Sequence, residues 1–268
     1  VVVEKGKKKF VGYELPGRTL GVVGLGAIGV EVANAAHALG MQVLGFDPQI
    51  TVQRAWQLSS GVEQALSLDD LFSRCDMVTV HVPLIDATRG MVNANRLRLL
   101  KDNGVILNFA RGGIVDEAAA LEALNSGKLG AYICDFPTVQ LKDHPRVVAL
   151  PHLGASTGEA EENCAVMVAD TLRDFLENGN VRNSVNFPEA VLPRTAGATR
   201  LAIANENVPN MVGQISTALA ADKLNIADLL NKSRGDLAYT LIDVDGAVPD
   251  ATLARLSGIE GVLNVRRV

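Results

Sequence analysis

Six short apolar runs recur between residues 18 and 150, at 20–23, 43–46, 77–81, 105–109, 131–133 and 147–150, with helical spacing between them. Runs so short and so continuously apolar suit strands buried on both faces, the situation of a parallel sheet covered by its own crossover helices. The pattern predicts an α/β fold built on a doubly wound parallel sheet of six strands. The intervening helices are legible too. Ile28, Val32, Ala35 and Leu39 repeat at helical spacing before a Gly40 stop. A second helix opens at Asp116 and Glu117, where carboxylates suit the helix dipole, and stops at Gly127. A third occupies about 158–176 and ends at Asn178-Gly179-Asn180.

Beyond residue 183 the pattern changes. Residues 183–198 hold two prolines and no periodicity, which predicts a linker. Residues 199–268 then read as strand, helix, two strands, helix, strand. That order is βαββαβ, a small ferredoxin-like domain. The predicted domains are therefore 1–182, a linker at 183–198, and 199–268.

Composition removes several classes of function. With 48% hydrophobic residues, 21% charged and a net charge of −5, the chain is neither disordered nor a basic nucleic-acid binder. The one basic run, Lys5 with Lys7, Lys8 and Lys9, reads as a solvated segment. No stretch reaches the roughly 18–20 apolar residues of a membrane span, and no signal peptide is evident. Cys75, Cys134 and Cys164 are far apart and lack metal-site spacing. Reduced thiols in the cytoplasm, and no metal, are the expectation.

Gly24-Leu25-Gly26-Ala27-Ile28-Gly29 follows the first predicted strand and opens the first predicted helix. In that setting Gly24 serves a tight turn, Gly26 admits a pyrophosphate against the backbone, and Gly29 allows close helix packing. Asp47, at the end of the second strand, is placed for the ribose hydroxyls, and its negative charge favours NAD over NADP. The alternative is a glycine-rich turn in some other α/β protein. Two polar residues follow later strands, at carboxyl ends that line the ligand crevice of such sheets. Arg111, in Asn108-Phe109-Ala110-Arg111-Gly112-Gly113, suits a bidentate grip on a substrate carboxylate; its plainer role is to neutralise Asp116 or Glu117. His152, in Pro151-His152-Leu153-Gly154, suits proton transfer at a carbon that exchanges hydride, or else a purely structural role. His81-Val82-Pro83-Leu84 closes the third strand, with His81 on the adenine side.

From Thr19 to Thr157, the ordered segments GLGAIG, FDP, HVPL, NFARGGIVDE and PHLGAST closely resemble the D-2-hydroxyacid dehydrogenases. The last domain, after Val185-Asn186-Phe187-Pro188-Glu189, is similar to the regulatory ACT domain of the phosphoglycerate-oxidising branch. The resemblance implies a Rossmann domain that uses NAD to oxidise 3-phosphoglycerate to 3-phosphohydroxypyruvate, the first step of serine biosynthesis. It makes His152 the acid/base and Arg111 the carboxylate ligand. It assigns cofactor contacts to Gly24, Gly26, Ala27, Ile28, Gly29, Asp47, His81, Val82, Pro83, Phe109, Ala110, Arg111, His152 and Gly154, and Asp135 to the nicotinamide. Asn207 and Asn225 match positions that hold a serine effector, and a homodimer or homotetramer is implied. Alternatives are a reductase of another 2-hydroxy or 2-keto acid and a non-catalytic NAD(H)-sensing protein.

Three departures from the family stand out. Val139 occupies the place of a glutamate that would stabilise the imidazolium, and Asp143 is the nearest substitute. Asn210 stands where the small domain's first loop usually has glycine, and asparagine tolerates the left-handed backbone that a glycine there would supply. The family also begins with a lobe on the order of a hundred residues, a small domain's worth. The chain opens on Val1 without it, and is expected to lack half the substrate domain.

Overall fold

The computed structural model describes residues 6, 7 and 11–268, so of the basic run Lys5, Lys8 and Lys9 lie outside the described residues. The chain divides into two compact units, Val1–Gly154 and Ala155–Val268.

The first unit holds seven parallel strands: β1 (Thr19–Val23), β2 (Gln42–Phe46), β3 (Val62–Gln64), β4 (Met77–Val80), β5 (Gly104–Asn108), β6 (Leu129–Cys134) and β7 (Val147–Ala149), in the order β3-β2-β1-β4-β5-β6-β7. Helices α1 (Ala27–Ala38), α2 (Val52–Ala55), α3 (Leu68–Arg74), α4 (Ala94–Leu99) and α5 (Glu117–Ser126) connect them. One core cluster contains Leu71, Phe72, Ile106 and Leu124, and another contains Val22, Val30, Ala33 and Val43. Alternate residues of β1 divide between them, Val23 to the first and Val22 to the second, so both sheet faces are buried. The doubly wound expectation is met, with one strand more than the six expected. The added strand, β3, is a three-residue edge with Glu63 and Gln64 exposed, so it carries no apolar run. Helices α2, α3 and α4 were not anticipated either; at four to seven residues they are too short for a helical period to repeat.

The second unit opens with a 21-residue helix, α6 (Gly158–Asn178), capped by Thr157, whose hydroxyl accepts from Ala160 N at 3.1 Å. After it come β8 (Ala198–Glu206), α7 (Met211–Ala221), β9 (Ile226–Arg234), β10 (Leu237–Asp245), α8 (Asp250–Ser257) and β11 (Val262–Arg267). The four strands form an antiparallel sheet ordered β11-β8-β10-β9, the ferredoxin-like arrangement expected from the element order. Ile215, Leu219 and Leu256 of the two helices pack with Ile203, Ile242 and Val244 on one face. On the other face Ala190 and Leu192 pack with Ala202, Tyr239 and Leu241. Residues expected as a free linker are thus partly a cover for that face, pinned by a bridge between Val181 and Ala190. Prolines and lack of period marked the segment as irregular; its burial follows from the sheet needing something apolar on its helix-free side. Helix α6, expected with the first domain, falls in the second unit.

A buried ion pair ties this unit together. The Arg200 guanidinium is fully buried and donates to both oxygens of Asp243, at 2.6 and 2.7 Å. It also donates to the carbonyls of Asn178, Leu192 and Pro193, and Asp243 accepts from Thr195 N. Burial pushes the Asp243 carboxyl up, but the bonds from Arg200 and Thr195 outweigh it and hold the group below its ordinary value. The stability the pair contributes is therefore complete above about pH 4 and is lost as pH falls further. Urea unfolding at neutral pH should show Arg200→Met destabilising this unit by about 3–5 kcal/mol, because Asp243 is left charged and unpaired. The transition of the first unit should not move.

Candidate functional site

The site begins at the turn after β1. Gly24 has φ +90°, and a Cβ there would meet the His81 carbonyl oxygen at 2.6 Å. A Cβ on Gly29 would sit 1.8 Å from the Gly24 oxygen, so the helix and the turn touch backbone to backbone. A Cβ on Gly26, by contrast, would meet nothing within 4 Å. The protein's own packing does not demand glycine at that position, and the space before it is open. Helix α1 starts there without a side-chain cap and without an acidic residue in its first turn, leaving the amides near Ala27 and Ile28 facing outward. Amides so placed, at the positive end of a helix dipole, suit an anion. Asp47, just past β2, accepts from Leu25 N at 2.8 Å and from Gln49 N at 2.9 Å, which fixes the turn and keeps one lone pair on each oxygen spare.

Ile28 is exposed and faces a cavity of about 550 Å³ shared with His81, Val82, Pro83 and Leu84 after β4, and with Phe109, Ala110 and Arg111 after β5. The cavity lies where the strand order reverses, between β1 and β4, the usual ligand position in such sheets. Burial holds the His81 imidazole below its ordinary value, and its Nε2 lies 3.0 Å from the Thr79 hydroxyl. Leu84 and Thr79 were not singled out in the sequence. A recess of about 190 Å³ beside Asp47, lined also by Leu25, Ile50, Ala55 and Leu58, was not anticipated either.

Arg111, Asp135 and His152 follow three neighbouring strands. Asn108 on β5, Cys134 on β6 and Ala149 on β7 are register partners, and the three residues lie three, one and three positions beyond them. Buried Asn108 shapes the first of these turns: its amide donates to the Arg111 carbonyl at 3.0 Å, and its oxygen accepts from Ala110 N at 3.2 Å. The Arg111 side chain is exposed and donates to the Ala110 carbonyl. His152 is exposed and rests on the Phe136 ring, centroids 4.4 Å apart and tilted by 52°. A Cβ on Gly112 would lie 3.6 Å from the Phe136 Cβ, so the residue whose ring carries His152 also neighbours the arginine loop. No hydrogen bond joins the imidazole to a carboxylate among the described residues, and Val139 is 81% exposed.

Elsewhere the polar residues are dispersed. The Asn207 amide donates to the Gly235 carbonyl, and the Asn225 amide to Asp245, at opposite ends of the nine-residue β10. One chain therefore keeps them roughly 25 Å apart. Asn210 does adopt the left-handed backbone, with φ 63°. All three cysteines are free, Cys75 and Cys134 buried and Cys164 exposed. Among the described residues no cluster of His, Cys, Asp and Glu is arranged for a metal ion, and no helix is long and apolar enough to cross a membrane.

A model of the NAD binding domain of the D-isomer specific 2-hydroxyacid dehydrogenases matches residues 2–154. The chain belongs to that family. The D-3-phosphoglycerate dehydrogenase of Haemophilus influenzae is 34% identical over 265 residues, which is 95% of this chain and 63% of the relative. That of Bacillus subtilis is 41% identical over 191 residues, 69% of this chain and 36% of the relative. The chain thus spans less than two thirds of the length of these curated relatives. The crystal structure of D-lactate dehydrogenase from Aquifex aeolicus, complexed with NAD and lactic acid, has a TM-score of 0.54 at 27% identity and covers 66% of this chain and 61% of that one.

Two independent observations fit NAD to this family member's first unit. One is the open space before Gly26. The other is Asp135, whose Oδ1 is buried without a hydrogen-bond partner, leaving an acceptor for a donor such as a carboxamide N–H. The glycines separate fold from ligand. Gly26→Ala should leave stability within about 1 kcal/mol while weakening NADH binding about tenfold or more, since its methyl enters the pyrophosphate approach. Gly29→Ala should cost at least about 1–3 kcal/mol as an overpacked contact, whatever the ligand. Fluorescence titration with NADH and thermal melts distinguish the two.

Proposed function

We propose that this chain is the cofactor-binding and regulatory part of an NAD-dependent phosphoglycerate dehydrogenase, which converts 3-phosphoglycerate to 3-phosphohydroxypyruvate at the start of serine biosynthesis. The observation that carries the reading is the alignment of Arg111, Asp135 and His152 beyond register-matched residues of three adjacent strands, beside the Gly24–Gly29 turn. NAD, when bound, accepts the hydride from the carbon that bears the hydroxyl. Arg111 grips the substrate carboxylate with guanidinium N–H groups not used on Ala110, and fixes that carbon's orientation. His152 takes the hydroxyl proton on oxidation and returns it on reduction. Asp135 would hold the carboxamide of bound NAD with its spare buried acceptor. Asp47 accepts from the ribose hydroxyls, and its charge disfavours a 2′-phosphate.

The names of the two curated relatives support phosphoglycerate as the substrate. A second reading, a protein that senses NAD(H) without turnover, draws on the lack of a carboxylate at the His152 imidazole. The small domain serves as an ACT-type regulatory domain. A serine effector held by both Asn207 and Asn225 needs two copies of the chain, since one chain keeps these amides at opposite ends of its sheet.

In the full-length protein, assayed with phosphohydroxypyruvate and NADH, His152→Ala should lower turnover roughly 10²- to 10⁴-fold with NADH binding intact. Arg111→Ala should chiefly raise the KM for the keto acid. Full turnover in the histidine variant removes His152 from the mechanism; no turnover by the unaltered protein, with NADH bound, favours the sensor. Millimolar serine should slow the reaction, and an unchanged rate would assign the small domain to assembly.

A further inference from the structure

The last turn of α6 is held in an unusual way. Five consecutive carbonyls, from Phe175 to Gly179, each accept from a side chain of the small domain or of the segment leading into it. Arg266 donates to Phe175 and Leu176. Arg194 donates to Glu177 at 2.7 Å and also to the Val268 carbonyl at 2.9 Å. Arg200 reaches Asn178 at 3.2 Å, and the Tyr239 hydroxyl reaches Gly179 at 2.8 Å. The Arg266 guanidinium also lies over the Phe175 ring, 4.3 Å from its centroid. At the negative end of the helix dipole, three guanidiniums and the Tyr239 hydroxyl together supply donors to Leu176–Gly179, the four carbonyls this helix end leaves orphaned, and to Phe175, which also accepts from Gly179 N.

The rest of the helix has little to hold it within this unit. None of its 21 residues is buried, and Val166, Met167, Val168 and Leu172 are each more than half exposed. Most of a helix's stability in a protein comes from packing of its apolar face, and α6 has little of that within this unit. Within this unit the main hold on it is the clamp at its far end, about 30 Å from its first turn. That first turn is capped by Thr157, five residues after His152, with Leu153 N donating to the Pro151 carbonyl between them.

We infer that Arg194, Arg266 and Tyr239 are positioning residues for the His152 loop: by anchoring the end of α6 they keep the helix wound to Thr157, and so order the segment that carries the imidazole. The role given to His152 rests on the proposed dehydrogenase, but the ordering of its loop does not.

Hydrogen exchange on the 268-residue chain tests the ordering directly. The variant Arg194→Met/Arg266→Met/Tyr239→Phe opens the clamp and leaves the Arg200–Asp243 pair intact, so the small sheet keeps its buried charge partner. Exchange at residues 174–180 and also at 153–162 is expected to rise at least about tenfold, as a helix does when its end loses capping bonds. Lysine in place of both arginines, which restores donors and charge, should recover most of the protection. Faster exchange confined to 174–180 would overturn the inference. If the triple variant unfolds the small domain, Tyr239→Phe alone decides: exchange rises at 153–162 if the inference holds and is unchanged if it does not. In the full-length protein the triple variant should lower kcat while the KM for NADH is unchanged. A protein without turnover that still shows the exchange pattern would remove only the catalytic reading.

Discussion

The hydrogen-bonded register of the parallel ladder decides where every polar group of the first unit can stand. Val23, Phe46, Val80, Asn108, Cys134 and Ala149 lie at or next to the last rung of their strands, so the segments that follow them emerge along one edge. The turn at Gly24, the carboxylate of Asp47, the imidazole of His81, Arg111, Asp135 and His152 all follow within three residues of that edge. A one-residue slip of any strand would turn its apolar side chains from one covered face to the other and its loop residue away from the crevice. Since both faces are buried, such a slip is costly, and packing of the core also aims the site.

That dependence explains which parts could be read from the chain in advance. Strands buried on both faces leave continuous apolar runs, so their number and places along the chain were visible except for β3, whose exposed Glu63 and Gln64 break the signal. The places of the glycine turn, Asp47, Arg111 and His152 just after such runs were visible for the same reason. Asn108, Thr79 and Phe136 were not singled out. Each works on its neighbours through local contacts, and nothing in residue type or spacing distinguishes an asparagine that folds a loop from one that merely lies in it. The burial of Ala190 and Leu192 was likewise hidden, because irregular segments that cover a sheet have no period.

Substitution at special positions has been absorbed in two different ways. At Asn210, where the resemblance implies glycine, the backbone is left-handed, and the asparagine Oδ1 fills the space a Cβ on Gly213 would need. At Val139, where the resemblance implies a glutamate, the chemistry differs from that expectation. The loop that would supply a carboxylate points an apolar side chain outward, and the imidazole lies instead against the Phe136 ring. An aromatic ring restrains orientation by packing but cannot accept the imidazole proton as a carboxylate does.

Asn207 and Asn225 stand at opposite ends of β10, so on the proposed effector site each chain would carry its two halves apart. Two chains related by a twofold axis would complete two equivalent pairs at once. A ligand that needs both amides then binds only associated chains, so its apparent affinity rises with protein concentration and its presence favours association. Occupancy of such a site would measure how much of the protein is paired, coupling any signal it carries to the abundance of the chain.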